Sequence, residues 1–175
     1  MGSFVVDLMM RADRLPVVGE TIKGKSFQTG AGGKGSNQCV ASARAGAQAV
    51  MITKLGDDDF AKLAMSSFKD NNICTDYVFT DEKLPTGAAL IMVDEKTSQN
   101  KIIVTSGACD NITDNEIELS KGEIENANVF LTQLETNLDA TLKSIDIAHN
   151  AKIKVILNPA PAEVFPEEYF CKIDY

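Results

Sequence analysis

A chain of 175 residues, 44% hydrophobic and 24% charged, holds enough apolar material for one domain with a real core. Its net charge of −8 leaves no basic footprint for a phosphate backbone, which excludes nucleic acid as the main partner. No apolar run approaches the roughly 20 residues of a membrane span, and Met1-Gly2-Ser3 opens no secretory signal, so a cytoplasmic protein with no membrane partner is expected, the nucleus being the other compartment open to it.

In chain order, Phe4-Val5-Val6 is a short apolar strand followed by Asp7. Residues 8–21 read as loop and turn, and residues 21–29 alternate loosely, as an edge strand does. Then comes Gly30-Ala31-Gly32-Gly33-Lys34-Gly35-Ser36-Asn37-Gln38, with four glycines in six residues. Such a turn feeding a helix presents uncovered amides and the positive end of the helix dipole to a polar or anionic ligand. Residues 36–45 read as a helix ended by Gly46. Residues 49–52 form a buried strand, and Gly56-Asp57-Asp58-Asp59 opens an amphipathic helix over 58–70. Tyr77-Val78-Phe79 is a strand, and 86–93 and 101–105 are two antiparallel strands joined by a polar turn.

Thr113-Asp114-Asn115-Glu116 forms a capping box before the next helix. Val129-Phe130-Leu131 is a strand ending in Gln133-Leu134-Glu135, and Leu138, Leu142, Ile145 and Ala148 mark a helix. Residues 154–157 form a strand ending at Asn158-Pro159, with a short helix after Pro166. Alternating strand and helix means βαβ units and a parallel sheet, and the segments near 21–29 and 86–105 form a second small sheet.

Ligands of α/β sheets gather at the carboxyl ends of strands. Asp7, Glu135 and Asn158 each follow an apolar strand, and Lys34 and Asn37 lie in the glycine stretch. Carboxylates that accept, with lysine, asparagine and backbone amides that donate, suit a small polyhydroxylated molecule. Asn158 before Pro159 fits a turn residue equally well, and Asp57 to Asp59 are explained by helix capping. His149 fits the last turn of a helix, where it favours the dipole. Cys39, Cys74, Cys109 and Cys171 are scattered beside a single histidine, which gives buried free thiols and no zinc site. Gly30-x-Gly32-x-x-Gly35 matches a dinucleotide fingerprint formally, but the preceding segment is polar and no acid ends the next strand. A Walker A loop fails because Gly35 follows Lys34.

The glycine run, then Gly46 and Gly56, resembles the first signature of the ribokinase-like carbohydrate kinases (the PfkB family). Pro16-x-x-Gly19-Glu20-Thr21, Thr86-Gly87-x-Ala89, Ser106-Gly107-Ala108, Gln133-Leu134-Glu135 and Asn158-Pro159-Ala160-Pro161-Ala162 extend the resemblance over the whole chain, nearest to the ribokinases of that family. It implies one α/β domain over residues 1–175: a mostly parallel sheet flanked by helices, with a small β-sheet lid formed by about 8–29 and 86–105. It implies sugar binding by Asp7, Gly32, Gly33, Lys34, Asn37 and Glu135. It further implies ATP-dependent phosphorylation of D-ribose at the 5-hydroxyl, with Mg²⁺ and a monovalent cation such as K⁺, in a homodimer joined through the lid. A kinase of another sugar or nucleoside, or a non-catalytic sugar-binding or regulatory chain, is the alternative.

The family takes its catalytic aspartate from a C-terminal Gly-Ala-Gly-Asp segment, and this chain stops at Lys172-Ile173-Asp174-Tyr175 without it. No catalytic residue is therefore assigned here. Gly107-Ala108-Cys109-Asp110 mimics the segment by composition only. Gly2-Ser3 and Asp7 keep the spacing at which an apolar central strand ends, yet only Met1 precedes them. The expectation is an inactive fragment lacking its C-terminal part and first strand, poorly folded when alone.

Overall fold

A computed structural model describes residues 1–175. The strands are β1 (Val5–Ala12), β2 (Ser26–Gly32), β3 (Val50–Gly56), β4 (Cys74–Asp81), β5 (Thr86–Asp94), β6 (Asn100–Gly107), β7 (Val129–Gln133) and β8 (Lys154–Asn158). The helices are α1 (Lys34–Arg44), α2 (Asp59–Asp70), α3 (Asp114–Asn126) and α4 (Leu138–Asn150), with 3-10 turns at Ala108–Asn111 and Glu167–Lys172.

Local chemistry sets the helix ends. Asp58 caps α2 by accepting from the Ala61 amide at 2.9 Å. Thr113 and Glu116 form the expected capping box of α3. Gly46 follows α1 with φ +97°, which glycine adopts without strain.

One four-stranded sheet has the order β2-β1-β5-β6, with β1 and β5 parallel and its outer pairs antiparallel. The loop expected over 8–21 is corrected: residues 8–12 continue β1, because β2 and β5 pair along its whole length. The expected strand over 21–29 likewise shifts to Ser26–Gly32 and absorbs the first glycines.

Two further sheets have two parallel strands each, β3-β4 and β7-β8. Helices cover both faces of these pairs. Phe4, Val6, Met51, Leu55, Ala64 and Phe68 pack with α1 and α2 on one side. Ile52, Ile117, Ile124, Phe130, Ile145 and Val155 pack with α3 and α4 on the other.

Residues 1–4 thread between β3 and β7. The Gly2 amide donates to the Ile52 carbonyl at 3.0 Å, and the Met1 ammonium donates to the Leu131 carbonyl at 2.9 Å. Beyond Met1 no strand joins the two pairs, and a slot of about 870 Å³ lies there. This is the gap expected in the central sheet.

All four cysteines are free thiols, but only Cys109 is fully buried and Cys171 is exposed, which corrects the expectation for the latter. Cys171 lies in the open 3-10 turn at Glu167–Lys172, where its thiol donates to the Glu168 carbonyl. No helix is long and apolar enough to cross a membrane.

Candidate sugar site

The site forms where residues 1–7, the start of α1 and the end of β7 meet. Asp7 does not follow β1 but sits inside it, opposite Gly30 of β2 and Ala89 of β5. Its carboxylate lies over Gly32, where any side chain would collide with it. Gly33 has φ +91°, and a Cβ there would stand 2.8 Å from Phe4 Cα. Gly33 therefore does structural work first: it lets residues 3–5 and the start of α1 pack at backbone distance, while Gly32 makes room for the Asp7 carboxylate.

Glu135, two residues past β7, is the carboxylate that meets the helix start. Its Oε2 accepts from the Lys34 amide at 2.8 Å and from Ser3 Oγ at 2.5 Å, and its Oε1 pairs with Lys34 Nζ. The anion favoured at this helix N-terminus is thus supplied by the protein itself. Burial opposes the charge on Glu135, but the bonds from Lys34 and Ser3 outweigh it and hold its carboxyl below the usual range. Asp7 behaves oppositely. Burial, and then the nearby Glu135 charge, push its carboxyl upward.

Asn37 is exposed on α1, three residues after Lys34 and so on the same helix face. Asn158 ends β8 in register with Gln133 of β7. The structure thus brings Asp7, Gly32, Gly33, Lys34 and Glu135 together, with Asn37 at the rim. The decoy segment is one 3-10 turn after Gly107, with the Cys109 thiol buried against the Phe4 and Lys54 carbonyls.

Sequence reasoning missed two parts. Ser3 is fully buried and orients Glu135 across 132 residues, a contact that no local spacing reveals. Ala89 and Val104 share Asp7's face of the sheet, and Met9, Ile91 and Ile102 continue it two residues on. β5 is apolar on both faces, so no alternation in its sequence marked which side Asp7 shares.

Residues 1–173 match the family described as pfkB family carbohydrate kinase. The chain belongs to that family. It is 37% identical over 162 residues to a ribokinase of Mus musculus, covering 93% of this chain and 50% of the relative. It is 35% identical over 179 residues to a deoxyribokinase of Salmonella typhi, covering 100% of this chain and 57% of the relative. An Arabidopsis thaliana ribokinase solved with ribose and ATP superposes with TM-score 0.85 at 31% identity, over 99% of this chain and 56% of that one. The chain spans about half the length of the curated relatives it matches. It has a partial ribokinase-like α/β fold.

Proposed function

We propose that this chain carries the sugar-binding half of a ribokinase, and that the whole protein phosphorylates D-ribose at its 5-hydroxyl with ATP. The observation that carries this reading is the Asp7 carboxylate, which takes no partner from the protein and stands beside the Lys34–Glu135 pair over an apolar floor.

Asp7 accepts from two adjacent sugar hydroxyls. Lys34 and Asn37 donate to others, and Glu135 accepts one while still tethered by Ser3. Gly32 and Gly33 complete the sugar-facing turn, Gly32 leaving room for the Asp7 carboxylate and Gly33 for the chain at residues 3–5. Ala89, Ile91 and Val104 meet the C–H face of the ring. Held this way, the sugar keeps its primary hydroxyl in one place, and positioning is the larger share of phosphoryl-transfer catalysis.

ATP and Mg²⁺ are what the family uses. No three His, Cys, Asp or Glu side chains of this chain converge as a metal site, and the start of α1 is already filled by Glu135. No step is routed through the metal ions or the nucleotide. Met10, Phe27, Leu90 and Ile103 leave an apolar surface on the sheet face opposite Asp7, which supports a homodimer joined through this lid sheet. The setting is cytoplasmic.

A second reading has support in the deoxyribokinase relative: 2-deoxyribose as the preferred sugar. Calorimetry with D-ribose, 2-deoxyribose and D-fructose separates the two. Ribose should bind with one site per chain, and Asp7→Asn should weaken it at least tenfold without changing the far-ultraviolet spectrum. A preference for 2-deoxyribose would move the assignment to the second reading, and unchanged affinity in Asp7→Asn would overturn both.

A further inference from the structure

Asp58 does more than cap α2. Its Oδ1 accepts from the Ala61 amide of its own helix, while its Oδ2 accepts from the Thr86 amide at 2.8 Å, 28 residues away. Thr86 is the first residue of β5 and is 2% exposed. Its hydroxyl accepts in turn from the Gly56 amide at 2.9 Å, at the end of β3. Burial opposes the charge on Asp58, but the bonds from Thr86 and Ala61 outweigh it and hold the carboxyl below its usual range.

Thr86 lies where the four-stranded sheet joins the rest of the molecule. The chain passes between the two parts at Phe4–Val5, Gly32–Lys34, Pro85–Thr86 and Gly107–Ala108. The first two crossings touch where Gly33 packs on Phe4. The last two are fastened where the Ala108 amide donates to the Pro85 carbonyl at 2.8 Å. The sheet therefore stands on two joints. At the second, a Cβ on Gly56 would come 2.5 Å from the Thr86 nitrogen, and one on Gly107 would collide with the Pro85 carbonyl. Asp81 accepts from the Lys83 and Leu84 amides and so shapes its own turn. Asp58 instead reaches β5 from a helix outside the sheet.

The site described above spans the same division. Asp7 and Ala89 belong to the sheet, with Ala89 three residues beyond Thr86 on β5. Lys34 and Glu135 belong to α1 and to the end of β7. How far the two walls stand apart depends on both joints.

We propose that Asp58 is a positioning residue of this site: through Thr86 it fixes the second joint, and so sets Asp7 and Ala89 against the Lys34–Glu135 pair. Asp58 itself touches no sugar. The proposal rests on the reading of the site as a sugar site, and part of its test needs no sugar.

Asp58→Ser separates the two bonds. Serine is a good N-cap, but its single short hydroxyl cannot also hold Thr86. Asp58→Ala removes both. In the full chain, chemical denaturation should show that serine regains part of the stability lost with alanine. Calorimetry should show both variants binding D-ribose at least tenfold more weakly than the unmodified chain. A residue that only capped α2 would give the serine variant full affinity. In the sugar-free chain, Asp58→Ser should shift the amide resonances of Thr86, Ala89 and Asp7 and speed hydrogen exchange at Thr86 at least tenfold, with Phe68 of α2 unmoved. Should Asp58→Ala fail to fold, Asp58→Ser, which keeps the cap, carries the comparison with the unmodified chain.

Ribose affinity in Asp58→Ser within about twofold of the unmodified chain would overturn the proposal. Unmoved Asp7 and Ala89 resonances in that variant would do the same. If the unmodified chain binds no ribose while those resonances shift in Asp58→Ser, the sugar reading fails and the positioning by Asp58 stands.

Discussion

The two ends of residues 1–7 make opposite use of the same kind of backbone. At the Asp7 end, β1 is paired on both sides, Glu135 takes three bonds, and Gly32, Gly33 and Gly35 each give way to a neighbour. At the Met1 end, two strand edges face each other across an open slot beside a buried ammonium. The contrast teaches that the proposed site can be organised while the two strand pairs beside it stay unjoined. The site depends on the carboxyl end of β7 and the crossing at residues 2–4, and the slot lies beyond them.

The largest expected effect tests whether stability resides in the organised end. Lys54 of β3 is 5% exposed, with its Nζ 3.0 Å from Glu116, 3.4 Å from Asp81 and 2.9 Å from the Asn111 carbonyl. Asp81 is held well below the usual carboxylate range, chiefly by Asn111 and by the Lys83 and Leu84 amides. Lys54→Met strands two carboxylates, and chemical denaturation should show a loss of about 3–5 kcal/mol. A loss under about 1 kcal/mol would erase the contrast.

The next effect probes the open end through pH. Burial pushes the Met1 ammonium from 8.0 to about 6. Between those values the unfolded chain binds more protons than the folded one, so stability rises with pH across that window. Two units correspond to about 2–3 kcal/mol. The Asp7 shift has the opposite sign and a lower window: its folded carboxyl is raised, so its contribution is lost as pH climbs through that range. Urea titrations from pH 5.5 to 8.5 should show the rise, and an N-acetylated chain should be flat there.

The smallest effect is at the slot wall. Val129 is 46% exposed, and Val129→Ala should cost only about 0.5 kcal/mol in the same titration, because little packing is lost where nothing is packed. A cost near that of Lys54→Met would mean that the slot is closed in solution.

What could be read in the sequence was what the chain encodes locally. The capping box at Thr113, the helix cap at Asp58 and the hairpin of β5 and β6 are each set by residues a few positions apart. Residues 8–12 hid their strand because Leu8-Met9-Met10-Arg11 does not alternate, and two neighbours impose the conformation. The site residues were legible through the ordered motifs, but not their bonding. Glu135 sits 101 residues from Lys34, and its claim on the helix start is tertiary. The glycines were read as room for a ligand, whereas Gly33 and Gly35 first make room for residues 2–4.

The central claim is that a sugar binds at the organised end. Titrating D-ribose into isotopically labelled chain, with amide resonances followed by NMR, tests it most directly. The account predicts saturable shifts at Asp7, Gly32, Gly33, Lys34 and Asn37, with Val50 and Val129 unmoved. Shifts centred on Val50 and Val129, or none at the glycine stretch at saturating ribose, would contradict it.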